Sequence, residues 1–272
     1  MLAFLVRPFL VLLALLPAFY LLDRALGRPR RTAWRTDLSW WFFTALVGKP
    51  IVQVLTFLAL VPPVLLLGLP RGQALLEGHG PLADLPFAAQ LVAALIVLDG
   101  INYWMHRAHH RTPLWRSHAV HHSSEHLDWL AAVRVHPLNT TLQRLPGLLA
   151  LLLLGFDLAS IAAAVPLLGL YGLALHTDVR WRLGPIAYLI ATPSFHRWHH
   201  ARTDVPAGGC NFAGLFPVWD LAFGTFHLPA DAPVVFGVDG PRPRESFWAQ
   251  LAFPLRRQVM ADEGGSMDGA QP

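Results

Sequence analysis

Apolar runs about as long as a bilayer is thick alternate along this chain with short segments rich in arginine, proline and glycine. Residues 2–22 are apolar apart from Arg7, and at about 1.5 Å per helical residue a run of that length crosses the hydrocarbon core. A cleaved leader is the competing reading, but the run continues into Asp23 and Arg24 without a convincing small-residue cleavage site. A second crossing is expected over residues 50–69, kinked or interrupted at Pro62 and Pro63, with Trp34, Trp40 and Trp41 as an aromatic belt at its entry. Residues 70–86 carry Gly72, Gly78, Gly80 and Pro81 and read as a turn-rich loop in which His79 is an ordinary member. Residues 87–104 make a third crossing whose one acid is Asp99. Residues 139–154 and 158–175, separated by Gly155, Phe156 and Asp157, predict a tight helical hairpin that dips into the membrane or crosses it twice, with Pro166 and Gly169 loosening its second arm. From 177 to 195 apolar residues alternate with Arg180, Trp181, Arg182 and Tyr188, as in a segment lying in the interface. A Gly- and Pro-rich stretch, 204–220, follows, and residues 260–272 have the small, polar composition of a disordered tail.

Composition sharpens this into a multi-pass membrane protein. Of 272 residues 54% are hydrophobic and only 14% charged, too apolar for a soluble domain of this length. The net charge of +4 comes from arginine in short segments between apolar runs. Arg24, Arg28, Arg30, Arg31 and Arg35 form a cluster that the positive-inside rule places in the cytoplasm, with the amino terminus outside. No basic run interleaved with aromatics forms a nucleic-acid motif, so no nucleic-acid partner is expected. The single cysteine, Cys210, excludes an internal disulfide and a cysteine-rich metal site.

Histidine supplies the candidate chemistry. Six of the fourteen histidines lie between Asp99 and His122. On a helix His106 and His110 are i and i+4, and His118, His121 and His122 are i, i+3 and i+4, so each set projects from one face. The His-x-x-His-His pattern recurs as His196, His199 and His200; about 0.04 copies are expected by chance at this histidine frequency, so two point to a metal site. Basic side chains seeking the membrane interface would explain scattered histidines but not the repeated register. All three clusters, with His176, fall on one predicted side of the membrane. Asp99 lies two helical turns before His106, where it can back a ligand or serve as a snorkelling or capping residue.

These residues resemble the fatty acid hydroxylase and sterol desaturase superfamily of integral-membrane di-iron enzymes. The resemblance runs from about 99 to 226, half the chain. It rests on Asp99, Tyr103-Trp104-Met105-His106-Arg107, His110, Leu114-Trp115, His118, His121-His122-Ser123-Ser124, Arg134-Val135-His136-Pro137, Pro193, His196, His199-His200, Asn211-Phe212, Trp219-Asp220 and Phe223-Gly224-Thr225-Phe226. It implies that His106, His110, His118, His121, His122, His196, His199 and His200 are metal ligands and that His176 is an additional one between the last two boxes. It places His136 at the edge of the site, as ligand or outer support; His109 sits inside the first box but is not its expected end, and is left out of the ligand set. Asp178 stands where relatives often carry Asn, which implies a more anionic surrounding there.

Eight or more imidazoles exceed the roughly four to six ligands of one first-row ion, so two metals follow. Softness alone admits iron, zinc or copper; the resemblance implies two irons, with zinc as a possible substitute. The expected fold is an all-α multi-pass membrane bundle with a cytoplasmic, histidine-rich di-metal cap. Its organisation reads as N-terminal membrane helices and loop (1–86), a histidine-box catalytic domain with membrane helices (87–228) and a C-terminal cytoplasmic tail (229–272). The expected activity is O2-dependent hydroxylation of a lipid C–H bond. A desaturase using the same metals is the alternative, and a metal transporter or sensor, or a zinc hydrolase, is more distant. No flavin, dinucleotide or haem fingerprint is present, so electrons are expected from an external ferredoxin or cytochrome with its reductase. Arg107, Arg197 and Arg202 are candidates for holding lipid head-group phosphate.

Overall fold

The computed structural model describes residues 33–256, apart from 70, 71, 112, 180–182 and 239–241, together with Val6, residues 10–15, Pro17 and Leu21. Most of the first expected crossing, Arg24, Arg28, Arg30 and Arg31, residues 180–182 of the expected interfacial segment and the tail from 257 lie outside the described residues.

Helix α1 (Trp34–Phe43) passes through a π-helical turn (Thr44–Gly48) into α2 (Lys49–Leu66). The widened turn comes immediately before Pro50, whose ring clashes with the carbonyl four residues back in a regular α-helix; an i→i+5 ladder relieves that clash. Pro62 and Pro63 neither stop nor split α2, which runs on to Leu66. After the short α3 (Gln73–Glu77), α4 spans Phe87–His109. Then come α5 (Trp115–His122), α6 (Pro137–Leu154), α7 (Leu158–Leu175), α8 (Pro193–His199), α9 (Val218–Ala222) and α10 (Phe247–Ala252). The described residues contain no strand, only one antiparallel bridge between Ala201 and Phe236.

Among the described residues, three helical stretches are long and apolar enough to cross a membrane: Trp34–Leu66, Phe87–His109 and Leu158–Leu175. Helix α4 packs against both α6 and α7 through a core of Ala94, Leu98, Leu151, Phe156, Ile161 and Ala164. The two alanines are fully buried, the small-residue contact that lets helices approach in lipid. Phe57, Leu58, Val92 and Leu170 remain exposed on the outer faces, as a lipid-facing surface requires.

Local capping fixes the hairpin. Asp157 accepts from the Ser160 amide to start α7. Gly155 ends α6 in the left-handed region (φ 83°), where a Cβ would lie 1.8 Å from the His79 carbonyl oxygen, so the turn requires glycine. The Asp157 amide donates to Gln90 Oε1 (3.1 Å), which puts the hairpin tip level with the start of α4. The arms therefore run alongside α4. Pro166 and Gly169 leave α7 continuous. The carboxyl ends of α4 and α7 and the amino end of α6 thus meet at one face, where α5 and α8 lie.

The tryptophan belt is corrected in part. Trp34 is exposed, but Trp40 is fully buried and donates to Gln250 Oε1 (2.6 Å), and Trp41 packs edge-on against Trp129. These two rings join α1 to α10 and to the loop before α6 instead of meeting lipid head groups.

Candidate metal centre

The box histidines sit at helix ends that the fold brings to one point. His106 lies in the last turn of α4 and His110 caps it. His118, His121 and His122 lie on α5, His176 follows the last residue of α7, and His196, His199 and His200 lie on or cap α8. Their ring nitrogens form two groups, each drawn within 4.8 Å: His106, His110, His118, His122 and His199 in one, and His121, His176, His196 and His200 in the other. The helical step explains the division. Residues i and i+4 are about 40° apart around the axis and stay together, whereas i+3 lies about 100° from i+4 and turns to the other group. Each His-x-x-His-His box therefore serves both groups, in reciprocal fashion. The groups adjoin where His122 and His200 stack with centroids 4.2 Å apart.

Within the first group Nε2 faces Nε2: His106 to His118 at 3.0 Å, His118 to His122 at 3.1 Å, His122 to His199 at 3.1 Å and His199 to His110 at 3.3 Å. In the second, His121 to His176 and His176 to His196 are 3.2 Å, and His196 to His200 is 3.1 Å. The outer nitrogens decide what such contacts are. His106 Nδ1 donates to the Phe212 carbonyl (2.7 Å), His199 Nδ1 to the Cys210 carbonyl (2.8 Å), His176 Nδ1 to the Gly172 carbonyl (2.7 Å) and His118 Nδ1 to Asn139 Oδ1 (3.2 Å). A carbonyl only accepts, so the proton sits on Nδ1 and the Nε2 lone pair points inward. His106 and His118 then oppose lone pair to lone pair at 3.0 Å, which repels unless a cation lies between. Metal–imidazole bonds of about 2.0–2.1 Å place neighbouring nitrogens about 2.9–3.4 Å apart in octahedral or tetrahedral geometry. The observed separations lie in that range, so the donor set fits a metal in each group.

Electrostatics agree. Burial first, and then the neighbouring imidazoles, hold His110, His118, His121, His122, His196, His199 and His200 well below the ordinary histidine range. Burial brings His176 down to about 4. All are neutral at pH 7 and free to donate a lone pair.

The remaining expected site residues lie elsewhere. His136 caps α6, accepting from the Leu138 amide at Nδ1 (3.1 Å), with Nε2 on the Leu251 carbonyl (3.2 Å), and belongs to neither group. Asp178 pairs with Arg197 (2.7 Å), so its charge is balanced there. His109 donates from Nδ1 to the Met105 carbonyl and stays outside both groups. Asp99 accepts the backbone amides of Gly214 and Leu215 at Oδ1 (3.0 and 2.8 Å) and of Phe216 at Oδ2 (2.8 Å). It touches no imidazole directly: seven residues place it about 10.5 Å along the axis from His106.

Three supporting residues had no role assigned from sequence, although Asn211 and Asp220 stand in the motifs that carry the resemblance. Asn139 holds His118 from the first turn of α6. Asn211, at φ 57°, is kept in the left-handed region by bonds from its side-chain Nδ2 to the carbonyls of Phe195 and His227 and from the His227 backbone amide to its Oδ1. Asp220, fully buried on α9, accepts from Phe212 N and Ala213 N and from Thr225 Oγ1. A buried acid in an apolar five-residue helix was the available signal for the last. Its backbone partners lie seven and eight residues upstream and Thr225 five downstream, spacings that periodicity does not announce.

A cleft of about 310 Å3, walled by His110, Trp115, His122, His199, Arg202, Gly209 and Cys210 among others, connects the five-histidine group to the surface.

Comparison with known proteins supplies the family. Residues 91–225 match the fatty acid hydroxylase family model. The chain is 34% identical over 175 residues to an ornithine lipid hydroxylase of Rhizobium tropici, covering 64% of this chain and 52% of that protein. It is 34% identical over 160 residues to an alkylglycerol monooxygenase of Danio rerio (57% and 34% covered) and 31% identical over 158 residues to a methylsterol monooxygenase of Aspergillus fumigatus (55% and 51%). The chain thus spans from a third to about half the length of these curated relatives. No solved structure matches it significantly. The matched stretch begins in the second turn of α4 and ends just past α9, enclosing both histidine groups and the loop that braces them, and with it the chain belongs to the fatty acid hydroxylase family.

Proposed function

We propose that this protein is an integral-membrane, O2-dependent lipid hydroxylase that holds two irons. The observation that carries the reading is the pair of imidazole groups whose inward lone pairs repel without a cation between them. His106, His110, His118, His122 and His199 would hold one ion, and His121, His176, His196 and His200 the other. Two irons supply activation of dioxygen for attack on an unactivated C–H bond.

The chain's own part is positioning and exclusion of water. The Nδ1 acceptors lock ring orientation and tautomer before any ion arrives, so the donor array is preorganised. Apart from the partly exposed His110 and His121, the nine imidazoles are buried. The apolar helices α4 and α7 end directly at the two groups, so an acyl or sterol-like substrate dissolved in the bilayer meets the site without leaving apolar surroundings. Relatives named for ornithine lipid, alkylglycerol and methylsterol oxidation support a lipid substrate. The arginines between the first apolar runs support a cytoplasmic position for the histidine face, where a ferredoxin or cytochrome with its reductase can deliver electrons.

Metal analysis of protein purified without oxygen, together with lipid mass spectrometry of cells with and without it, tests the proposal. Two irons per chain and an oxygenated lipid, 16 Da heavier, are expected. His121→Ala and His199→Ala should each lose metal and product while still inserting in the membrane. Product formation at the wild-type level in either variant, or a product 2 Da lighter than its precursor, would count against it.

A further inference from the structure

The loop from Cys210 to Phe216 has two chemically different sides. Its five consecutive amides from Phe212 to Phe216 all donate to two buried carboxylates: the first two to Asp220, the next three to Asp99. Its carbonyls at Cys210 and Phe212 accept from His199 and His106, both of the five-histidine group. One peptide unit joins these sides. The Phe212 carbonyl takes the His106 Nδ1 proton at 2.7 Å, and the amide of that same unit, Ala213 N–H, donates to Asp220 Oδ2 at 2.9 Å.

From this geometry we infer that Asp220 is a remote positioning residue for the five-histidine ion, its negative charge passed through the Phe212–Ala213 peptide to His106. A carboxylate on the amide of a peptide draws its proton and raises electron density on the conjugated carbonyl. That carbonyl then binds the His106 Nδ1 proton more strongly and makes Nε2 a better donor to metal. The second carbonyl is tied to the same acid by position only, because saturated carbons separate the Thr225 carbonyl from its hydroxyl. The amide paired with Cys210 C=O is Asn211 N–H, which donates to the Thr225 carbonyl (2.9 Å), and Thr225 Oγ1 donates to Asp220 Oδ1 (2.7 Å). Three donors and no acceptor face the Asp220 oxygens, as its charged form requires, with Tyr103 and Arg107 extending the network beyond Thr225. The carbonyl behind His176, by contrast, belongs to Gly172 inside α7. The two ions are therefore held by unequal donor sets, the five-histidine one being richer in electron density. Asp99 pins the same loop, buried as deeply to within 1% and holding three amides to Asp220's two, but none of those three shares a peptide with a carbonyl that holds a ligand.

This inference rests on the two-metal reading, and cobalt(II) titration of the metal-free full chain in detergent separates the two. Wild type should bind two equivalents. Asp220→Asn keeps an oxygen for Phe212 N–H and Thr225 but turns an NH2 toward Ala213; it should weaken one equivalent 10–100-fold and leave the other unchanged. The weakened equivalent should be the one that His110→Ala removes, with a changed visible cobalt spectrum. Asp99→Asn should leave both within about threefold of wild type. Thr225→Val removes a donor from Asp220 and leaves its charge in place, so the five-histidine equivalent should bind at least as tightly; this variant decides the matter if Asp220→Asn does not fold. Equal weakening of both equivalents in Asp220→Asn, no weakening at all, a matching loss in Asp99→Asn, or a clear loss in Thr225→Val would overturn the relay. A wild-type chain that binds no metal would remove the proposed function, and the relay with it.

Discussion

Arg134 offers the sharpest quantitative test of how the parts outside the matched stretch support the site. Its guanidinium is fully buried; Nε meets Asp37 of α1 at 2.5 Å and Nη1 meets Glu245 at 3.0 Å. The Asp37 side chain is 5% exposed and that of Glu245 48%. Burial alone would lower the arginine, and the two carboxylates reverse this and hold it above its ordinary value. Replacing Asp37 by Asn leaves a buried cation with only the solvent-screened partner, and removing one member of a buried pair costs about 3–5 kcal/mol. Glu245→Gln removes the exposed partner and should cost no more than about 1 kcal/mol.

A third variant separates charge from packing. If the cost of Asp37→Asn is the stranded guanidinium, adding Arg134→Met should recover at least about half of it, because an apolar chain of similar volume tolerates burial. Thermal or denaturant unfolding of the purified protein in detergent, followed by tryptophan fluorescence, measures all three. Trp129, close by the Ala131–Val133 turn that leads into Arg134, packs on Trp41 and reports on this contact. Equal effects for the two acid variants, or a double variant no more stable than Asp37→Asn, would refute the reasoning.

His118→Ala and His121→Ala, three residues apart, should deplete different metal equivalents, the first from the five-histidine group and the second from the four-histidine group; stepwise cobalt titration reads which one is lost. His136→Ala should keep both equivalents while lowering stability by about 1 kcal/mol, since its role is to cap α6. Cys210 is buried, and burial pushes its thiol up to about 12. A group with so raised a value stays protonated throughout the range where proteins are labelled, and ionises only as pH rises toward it. At pH 8 about one part in ten thousand is thiolate, so iodoacetamide labelling should be at least about a thousandfold slower in the native than in the unfolded chain.

What the sequence made legible was local. The spacing of His106 with His110, and of the two His-x-x-His-His boxes, is set by the helical repeat, and helices form over all three. Their meeting at one face followed from the direction in which each apolar run delivered its end. The assignment of His121 and His199 to opposite groups was not legible, because it depends on how α5 and α8 are rotated against each other. Trp40 was misread for a related reason: an indole at the end of an apolar run suits the membrane interface equally well, and its acceptor, Gln250, lies 210 residues away. For Asp99 the sequence leaves open backing a ligand and snorkelling or capping, and the partners it has in the fold are the backbone amides of 214–216. The chain between 211 and 216 that it binds has no periodicity to announce where its amides point.

The reciprocal sharing of boxes has a consequence for how the centre holds together. Helices α5 and α8 have eight and seven residues, below the length at which an isolated helix is stable in water. Each contributes imidazoles to both groups, so an ion bound by either group would fix the rotation of both helices and with it the imidazoles of the other. Braces from outside limit how far they can turn without metal: Asn139 on His118, the Cys210 carbonyl on His199, and Thr192 capping α8 through the Phe195 amide. The pair of short helices thus behaves as one cross-linked unit clamped between α4, α6 and α7. That is why the buried carboxylates and caps around it, though they touch no candidate ligand directly, sit where a small rotation would separate nitrogens now 3.0–3.3 Å apart.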